Sequence, residues 1–140
     1  MKKSTTLFIT ETDHERLGHL INLVRNQHDR ANAGYIRTLE EGIEFAEVVA
    51  PQDIPPDVVT MRSRVKLRDL DSGEESVYSI VFPTEANIDE GRISILAPLA
   101  TALLGHKRGE TVEFQAPSRL RKLMVEEILY QPESAGDFNL

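Results

Sequence analysis

Apolar residues recur at helical spacing along the first third of the chain and at strand spacing along the rest. Leu17, Leu20, Ile21 and Val24 fall at i, i+3, i+4 and i+7, one narrow stripe on an otherwise polar segment. Thr12 is followed three residues later by Glu15, the arrangement in which a hydroxyl and a carboxylate satisfy the free amides of a helix start. A first helix is therefore predicted from near Asp13 to near residue 27. His28 to Gly34 carries no periodicity and reads as a turn. A second stripe of Ile36, Leu39, Ile43 and Ala46 begins after Tyr35 and ends at Pro51. Two such helices hide their stripes most economically against each other, as an antiparallel hairpin or short coiled coil with arms of roughly 20 Å. Glu40, Glu41, Glu44 and Glu47 give the second helix an acidic outer face, read as solvated.

Pro55 and Pro56 bar both helix and central strand, so residues 52–57 are read as a stiff linker carrying few contacts. The predicted units are a hairpin over 1–51 and a second domain over 52–140. In the latter, Val58 and Val59 open a short strand, and Val65 and Leu67 alternate with Arg64, Lys66 and Arg68 in another. Asp71-Ser72-Gly73 supplies a hairpin turn. Glu75 to Phe82 is apolar on both faces and is predicted central and buried. Ile93 and Ile95 form a half-buried strand. Pro98 opens a helix of about two turns carrying Leu99, Ala102 and Leu103, with Gly105 at its left-handed C-cap. Val112 and Phe114 mark a further strand. Residues 119–130 form the last, with Leu123, Val125 and Leu129 on one side and Met124, Ile128 and Tyr130 on the other. The fold class is α+β: the hairpin, then a curved antiparallel sheet with one short helix.

Ser94, Pro98, the Ala102-Leu103-Leu104-Gly105 run, Lys107, Gly109, Glu110 and Val112 resemble the C-terminal domain of the Gre transcript-cleavage factors. The likeness continues through Ser63, Val65, Asp69, Gly73-Glu74-Glu75, Tyr78, Ile80, Val81 and Glu85-Ala86, covering about residues 57–130. Asp57 to Met61, the short hairpin, Tyr130 to Glu133 and Ala135 to Asp137 resemble the branch called regulator of nucleoside diphosphate kinase, over nearly the whole chain. The resemblance implies an FKBP-like second domain and bacterial RNA polymerase as partner. The Gre docking segment, Asp-Ser-Pro, corresponds to Leu96, Ala97 and Pro98, with Leu99 next. Proline is retained and the acid is replaced by leucine, so Leu96 is either a core residue or an apolar docking contact. At the hairpin tip, His28, Asp29 and Arg30 stand where Gre factors carry an acidic pair that helps hold a metal ion in the polymerase active centre. Asp29 is the lone acid between Val24 and Leu39, and one carboxylate does not supply that pair.

Charge and composition narrow the partner class. The chain has 140 residues and a formal net charge of -7, which opposes general duplex binding. Sequence-specific nucleic-acid binding is not expected. Cysteine is absent, which excludes disulfides and thiolate metal sites. No signal-like or membrane-spanning run occurs, so a cytoplasmic protein is expected.

The remaining chemistry is sparse. His14-Glu15 and His19 approach the HExxH zinc motif, but histidines five apart diverge by roughly 140° around a helix, and Gly18 fills the ligand position. An FKBP-like fold raises prolyl isomerisation, but Trp is absent and Tyr78, Phe82, Phe114, Tyr130 and Phe138 are about what one core needs. No catalytic residue, metal or cofactor is expected. The function read from the sequence is a non-enzymatic, polymerase-binding regulator that competes with Gre factors without stimulating cleavage. A transcript-cleavage factor acting through the tip, and an indirect effect on nucleoside diphosphate kinase levels, stand as alternatives.

Overall fold

The computed structural model describes residues 7–26, 33–116 and 118–137. A short strand, β1 (Phe8–Thr10), leads directly into helix α1 (Glu11–Asn26). Thr10 Oγ1 accepts the Asp13 N–H at 3.0 Å, so the cap is Thr10, two residues before the predicted Thr12. Both threonines precede an acid by three residues. The strand decides between them, because the helix must start where β1 ends and buried Thr10 needs a hydrogen-bond partner.

Helix α2 (Ala33–Phe45) stops earlier than predicted and gives way to β2 (Glu47–Val49). Val48 and Val49 are β-branched, and in place of another helical turn they pair parallel to β1 in the register Phe8↔Glu47, Ile9↔Val48, Thr10↔Val49. The two helices are thus the crossover that a parallel pair requires. Their stripes meet as predicted: Leu17, Ile21, Val24, Ile36, Leu39 and Ile43 are buried, with Leu20 and Ala46 packed beside them. Arg25 and Glu40 join the two helices by an exposed ion pair at 2.7 Å, a contact worth little in water.

The second half forms a five-stranded sheet of β3 (Arg64–Asp69), β4 (Glu75–Val81), β5 (Arg92–Ser94), β6 (Thr111–Gln115) and β7 (Leu120–Tyr130). The strand order is β5-β4-β3-β7-β6. Three pairs are antiparallel as predicted. The fourth, β4 with β5, is parallel, because the loop over 82–91, with its two 3₁₀ turns, returns the chain alongside β4 in the same direction. The sheet is therefore mixed. Short β5 covers only Ser79 to Val81 of β4, so Ile80 and Val81 are buried whereas Val77 is 37% exposed. The predicted burial of β4 holds for its second half alone. Val58 and Val59 are fully buried but form no strand; Val58 makes one bridge to Lys107.

On β7 the predicted alternation breaks. Leu67 pairs with Val125 and Lys66 with Glu127, so Glu126 is an extra residue, and a second shift leaves Leu129 between Ile128 and Tyr130. Such bulges reverse the side-chain parity. Leu123 and Val125 face the core, Ile128 packs on it, and Leu129 is exposed. The turn after β3 is held by Asp69, whose carboxylate accepts the Arg121 guanidinium at 2.8 Å and the N–H groups of Asp71 and Ser72. These bonds, Arg121 foremost, hold its pKa down at about 2.

Helix α3 (Pro98–Leu103) touches β6 on one side and α2 on another. One apolar cluster runs from the hairpin stripes through Ile95, Ala100, Leu103 and Leu104 to the sheet residues Val65, Leu67, Ile80 and Val125. Replacing Leu39 by alanine should consequently cost about 2–4 kcal/mol and lower one cooperative unfolding transition of the whole chain, followed by urea titration with far-ultraviolet circular dichroism. Two resolved transitions would show that the hairpin melts independently of the sheet.

Candidate functional site

The predicted docking residues lie at the corner between β5 and α3. Ile95 is buried and its N–H reaches Val81 O at 2.8 Å, which fixes the start of the corner to the C-terminal end of β4. Ser94 then closes the bend: its Oγ accepts the Leu96 N–H at 3.1 Å and its carbonyl accepts the Ala97 N–H at 2.9 Å. Thr101 ties the first helical turn back by donating its hydroxyl to Ile95 O at 2.6 Å. Pro98 is the first helical residue, where a missing N–H costs nothing. Leu96, Ala97, Pro98 and Leu99 are all half-buried. Leu96 and Leu99 pack one side against the core, so Leu96 has both a core face and a solvent face. The structure brings these four residues together on one rigid, partly apolar corner.

The hairpin-tip residues His28, Asp29 and Arg30 lie outside the described residues, as does Phe138. The helices leading toward the tip have 16 and 13 residues, about 24 and 20 Å long. His14 and His19 are exposed on α1. Among the described residues no group of three or more histidines or carboxylates is placed to hold a metal ion.

A polar junction that sequence reasoning missed lies where α1 meets the sheet. Asp13, 5% exposed, accepts the Met61 N–H on Oδ2 at 3.0 Å. Buried Thr60 donates its hydroxyl to Glu133 at 2.7 Å, and its N–H goes to Ser63 Oγ at 2.8 Å. Gln131 Nε2 bonds the carbonyls of Pro55 and Val58, both at 2.8 Å. These bonds sew helix α1, the segment 55–63 and the turn after β7 into one unit, and residues 52–57 are correspondingly no free linker. Burial pushes the Asp13 carboxyl up to about 6; the Met61 N–H opposes the shift and the nearby Glu133 carboxylate adds to it. The Thr10-x-x-Asp13 spacing was the available signal, but nothing in the sequence tells that Asp13 turns to Met61. Beside this junction the Tyr130 hydroxyl donates to the Asp137 carboxylate, which raises the phenol to about 12.

The profile described as "Transcription elongation factor, GreA/GreB, C-term" matches residues 54–130, which include the whole sheet and the β5–α3 corner. The chain is 35% identical over 136 residues to the regulator of nucleoside diphosphate kinase of Escherichia coli K12, covering 96% of this chain and 97% of that protein. It is 40% identical over 97 residues to transcription elongation factor GreA of Azorhizobium caulinodans, covering 69% of this chain and 62% of the relative. Among solved structures, a GreA/GreB elongation factor from Nitrosomonas europaea superposes with a TM-score of 0.75 at 36% identity, over 89% of this chain and all of that one. The chain belongs to the GreA/GreB family, in the branch of the regulators of nucleoside diphosphate kinase.

Asp13 gives the junction a pH signature. Its folded pKa of about 6 exceeds the ordinary 3.8, so between these values the native chain keeps a proton that the unfolded chain has lost. The stability Asp13 contributes is therefore largest below pH 4, falls by about 2–3 kcal/mol as the pH rises to 6, and is flat above. Asp69 works in the opposite sense in a lower window, its contribution present above pH 3.8 and lost toward pH 2. Asp13→Asn keeps an oxygen for the Met61 N–H and removes the charge. Denaturant titrations from pH 4 to 7 should show a flattened slope and a variant about 1–2 kcal/mol more stable at pH 7. An unchanged slope would place the titration in another group.

Proposed function

We propose that the protein is a Gre-type transcription regulator that binds bacterial RNA polymerase through the β5–α3 corner, using Leu96, Ala97, Pro98 and Leu99. In this reading residues 52–140 are the docking unit, and the hairpin of residues 1–51 projects toward the secondary channel of the enzyme in the cytoplasm. The observation that carries it is the family match over the corner and its sheet, together with the rigid, half-apolar geometry of the corner itself. Preorganised backbone of this kind lowers the ordering cost of association.

The same reading makes the protein a competitor of Gre factors, with no catalytic group of its own. Asp29 is the single acid between Val24 and Leu39, whereas a tip that positions a hard cation and a water needs more than one carboxylate. The name of the E. coli relative points to nucleoside diphosphate kinase; altered transcription accounts for such a link without direct contact.

The test uses stalled elongation complexes with labelled RNA, given this protein, a Gre factor, or both at rising ratios. No cleavage is expected with this protein alone, and dose-dependent inhibition is expected with both. Leu96→Lys and Pro98→Ala should each weaken core-polymerase binding by about tenfold, with unfolding midpoints followed in parallel because Leu96 also touches the core. Unchanged affinity in both variants would remove the corner assignment. Cleavage that disappears in Asp29→Ala would replace the competitor by a cleavage factor.

A further inference from the structure

The face of the sheet turned away from the apolar core carries a groove that the docking corner does not use. In register across four strands stand Arg92 on β5, Ser79 on β4, Arg64 on β3 and Tyr130 on β7, each directly opposite the next. Opposed residues share one face, and neighbouring strands lie about 4.8 Å apart. The two arginines of the row thus stand about 10 Å apart at their backbones with a hydroxyl between them. Arg62 adds a third guanidinium from the chain entering β3. It is the single non-glycine residue with positive φ among the described residues, at 66°, a conformation that costs free energy and concentrates at ligand-holding sites. Glu85 fixes its side chain by two hydrogen bonds of 3.1 and 2.9 Å, with the guanidinium 5.4 Å from the centre of the Phe82 ring.

Arg62, Arg64, Ser79, Glu85, Arg92 and Tyr130, with Val81, line an open groove of about 640 Å³. Three guanidiniums line it; Arg62 is paired with Glu85 and Arg92 with Glu90, which leaves Arg64 as the unmatched cation, with Asp137 at the Tyr130 hydroxyl on the opposite side. Arg92 is held by the Glu85 carbonyl at 3.0 Å and by Glu90 at 2.7 Å. Arg64 is exposed and has no ion-pair or hydrogen-bond partner among the described residues. Elsewhere on the same face the cations are matched, Lys66 by Glu75 and Arg68 by Glu126. One unmatched guanidinium flanked by two held in place, on a chain of net charge -7 and gathered round a concavity rather than spread over a flat surface, favours a small polyanion over a protein partner.

We propose that this groove binds a phosphate-bearing small molecule of about diphosphate size, with Arg64, Arg62 and Arg92 as its donors, Ser79 beneath it and the Tyr130 ring as a side wall. Forked guanidinium donors match phosphate oxygens in pairs. The site lies outside the β5–α3 corner, so its occupancy is measurable without polymerase. The phosphate has two sources in chemical terms, an inorganic or sugar-type diphosphate and a nucleoside diphosphate, and the tyrosine separates them by stacking on a base.

The experiment is calorimetric titration of the full chain with sodium pyrophosphate and with ADP, metal-free and at fixed ionic strength, with amide chemical shifts recorded in parallel. One binding event per chain is expected, with shifts centred on Ser79, Val81, Arg92 and Tyr130. Arg64→Ala should weaken binding at least about tenfold, whereas Arg68→Ala, on the same face but outside the groove, should not. ADP binding more tightly than pyrophosphate, with the gain lost in Tyr130→Leu, supports the groove and assigns a nucleotide; equal affinities support it and assign a non-nucleotide diphosphate. Absence of saturable binding at millimolar ligand, or equal losses in Arg64→Ala and Arg68→Ala, would overturn the proposal. An acidic peptide that binds while both phosphates fail would overturn it too and assign the groove to a protein segment.

Discussion

The arrangement of the hairpin on the sheet depends on the peptide group of Gly105. Its N–H donates to Val59 O at 2.9 Å and its carbonyl accepts the Phe8 N–H at 3.3 Å, so the end of α3, the segment entering β3 and the first strand all meet there. Its φ of +85° is readily adopted only by glycine, and a Cβ would stand 3.1 Å from both Leu7 Cβ and Phe8 O. Two separate constraints, a left-handed turn and a close backbone crossing, therefore fall on one residue. With β1 anchored at this point, β2 must pair beside it, and the helices between them have a defined place to deliver their stripes. A larger residue would be strained at this φ and would press against β1 where its backbone crosses.

Asp13 makes the second tie between the same two parts, through a different kind of interaction. A buried carboxylate is costly unless it is well paired, and here the Met61 N–H, with smaller help from Arg16 and Thr10, offsets only part of that cost, which is why its pKa rises. The bond to Met61 fixes α1 in position next to Arg62, whose left-handed backbone begins the turn into β3. Arg62 N–H in turn reaches Ile80 O at 2.6 Å. The helix start, the strained turn and the C-terminal end of β4 are consequently one hydrogen-bonded chain, and the outer groove is shaped at the far end of it.

Periodicity reveals the features that local spacing decides. The stripes of α1 and α2, the alternation of Val65 with Leu67, the turn at Gly73 and the proline start of α3 were all legible, because each is settled within a few residues. β1 and β2 were not: Phe8–Thr10 and Glu47–Val49 are three-residue strands whose pairing partner lies nearly forty positions away. The faces of β7 were misread for a related reason. Glu126 and Leu129 are looped out by register with β3, and the sequence of β7 alone keeps a regular alternation. The half-exposure of β4 comes from the length of its neighbour rather than from its own residues. The candidate docking corner rests on family likeness alone, while the arginine row required knowing which strands lie side by side.

Placing these features on one body bears on how the protein would act. The corner is bound to the C-terminal end of β4 through Ile95, and α3, the next element, touches α2. Anything that grips Leu96 to Leu99 therefore also sets the direction of the hairpin, with Gly105 and Asp13 preventing free swivelling. In the proposed complex the reach of the hairpin is then fixed by helix length rather than by linker flexibility. The A. caulinodans GreA match leaves 38% of that relative unaligned, whereas the E. coli regulator is covered almost end to end. On the proposed docking, a rigid mount with arms of about 20–24 Å would set the direction of the hairpin by the fold and its reach by helix length.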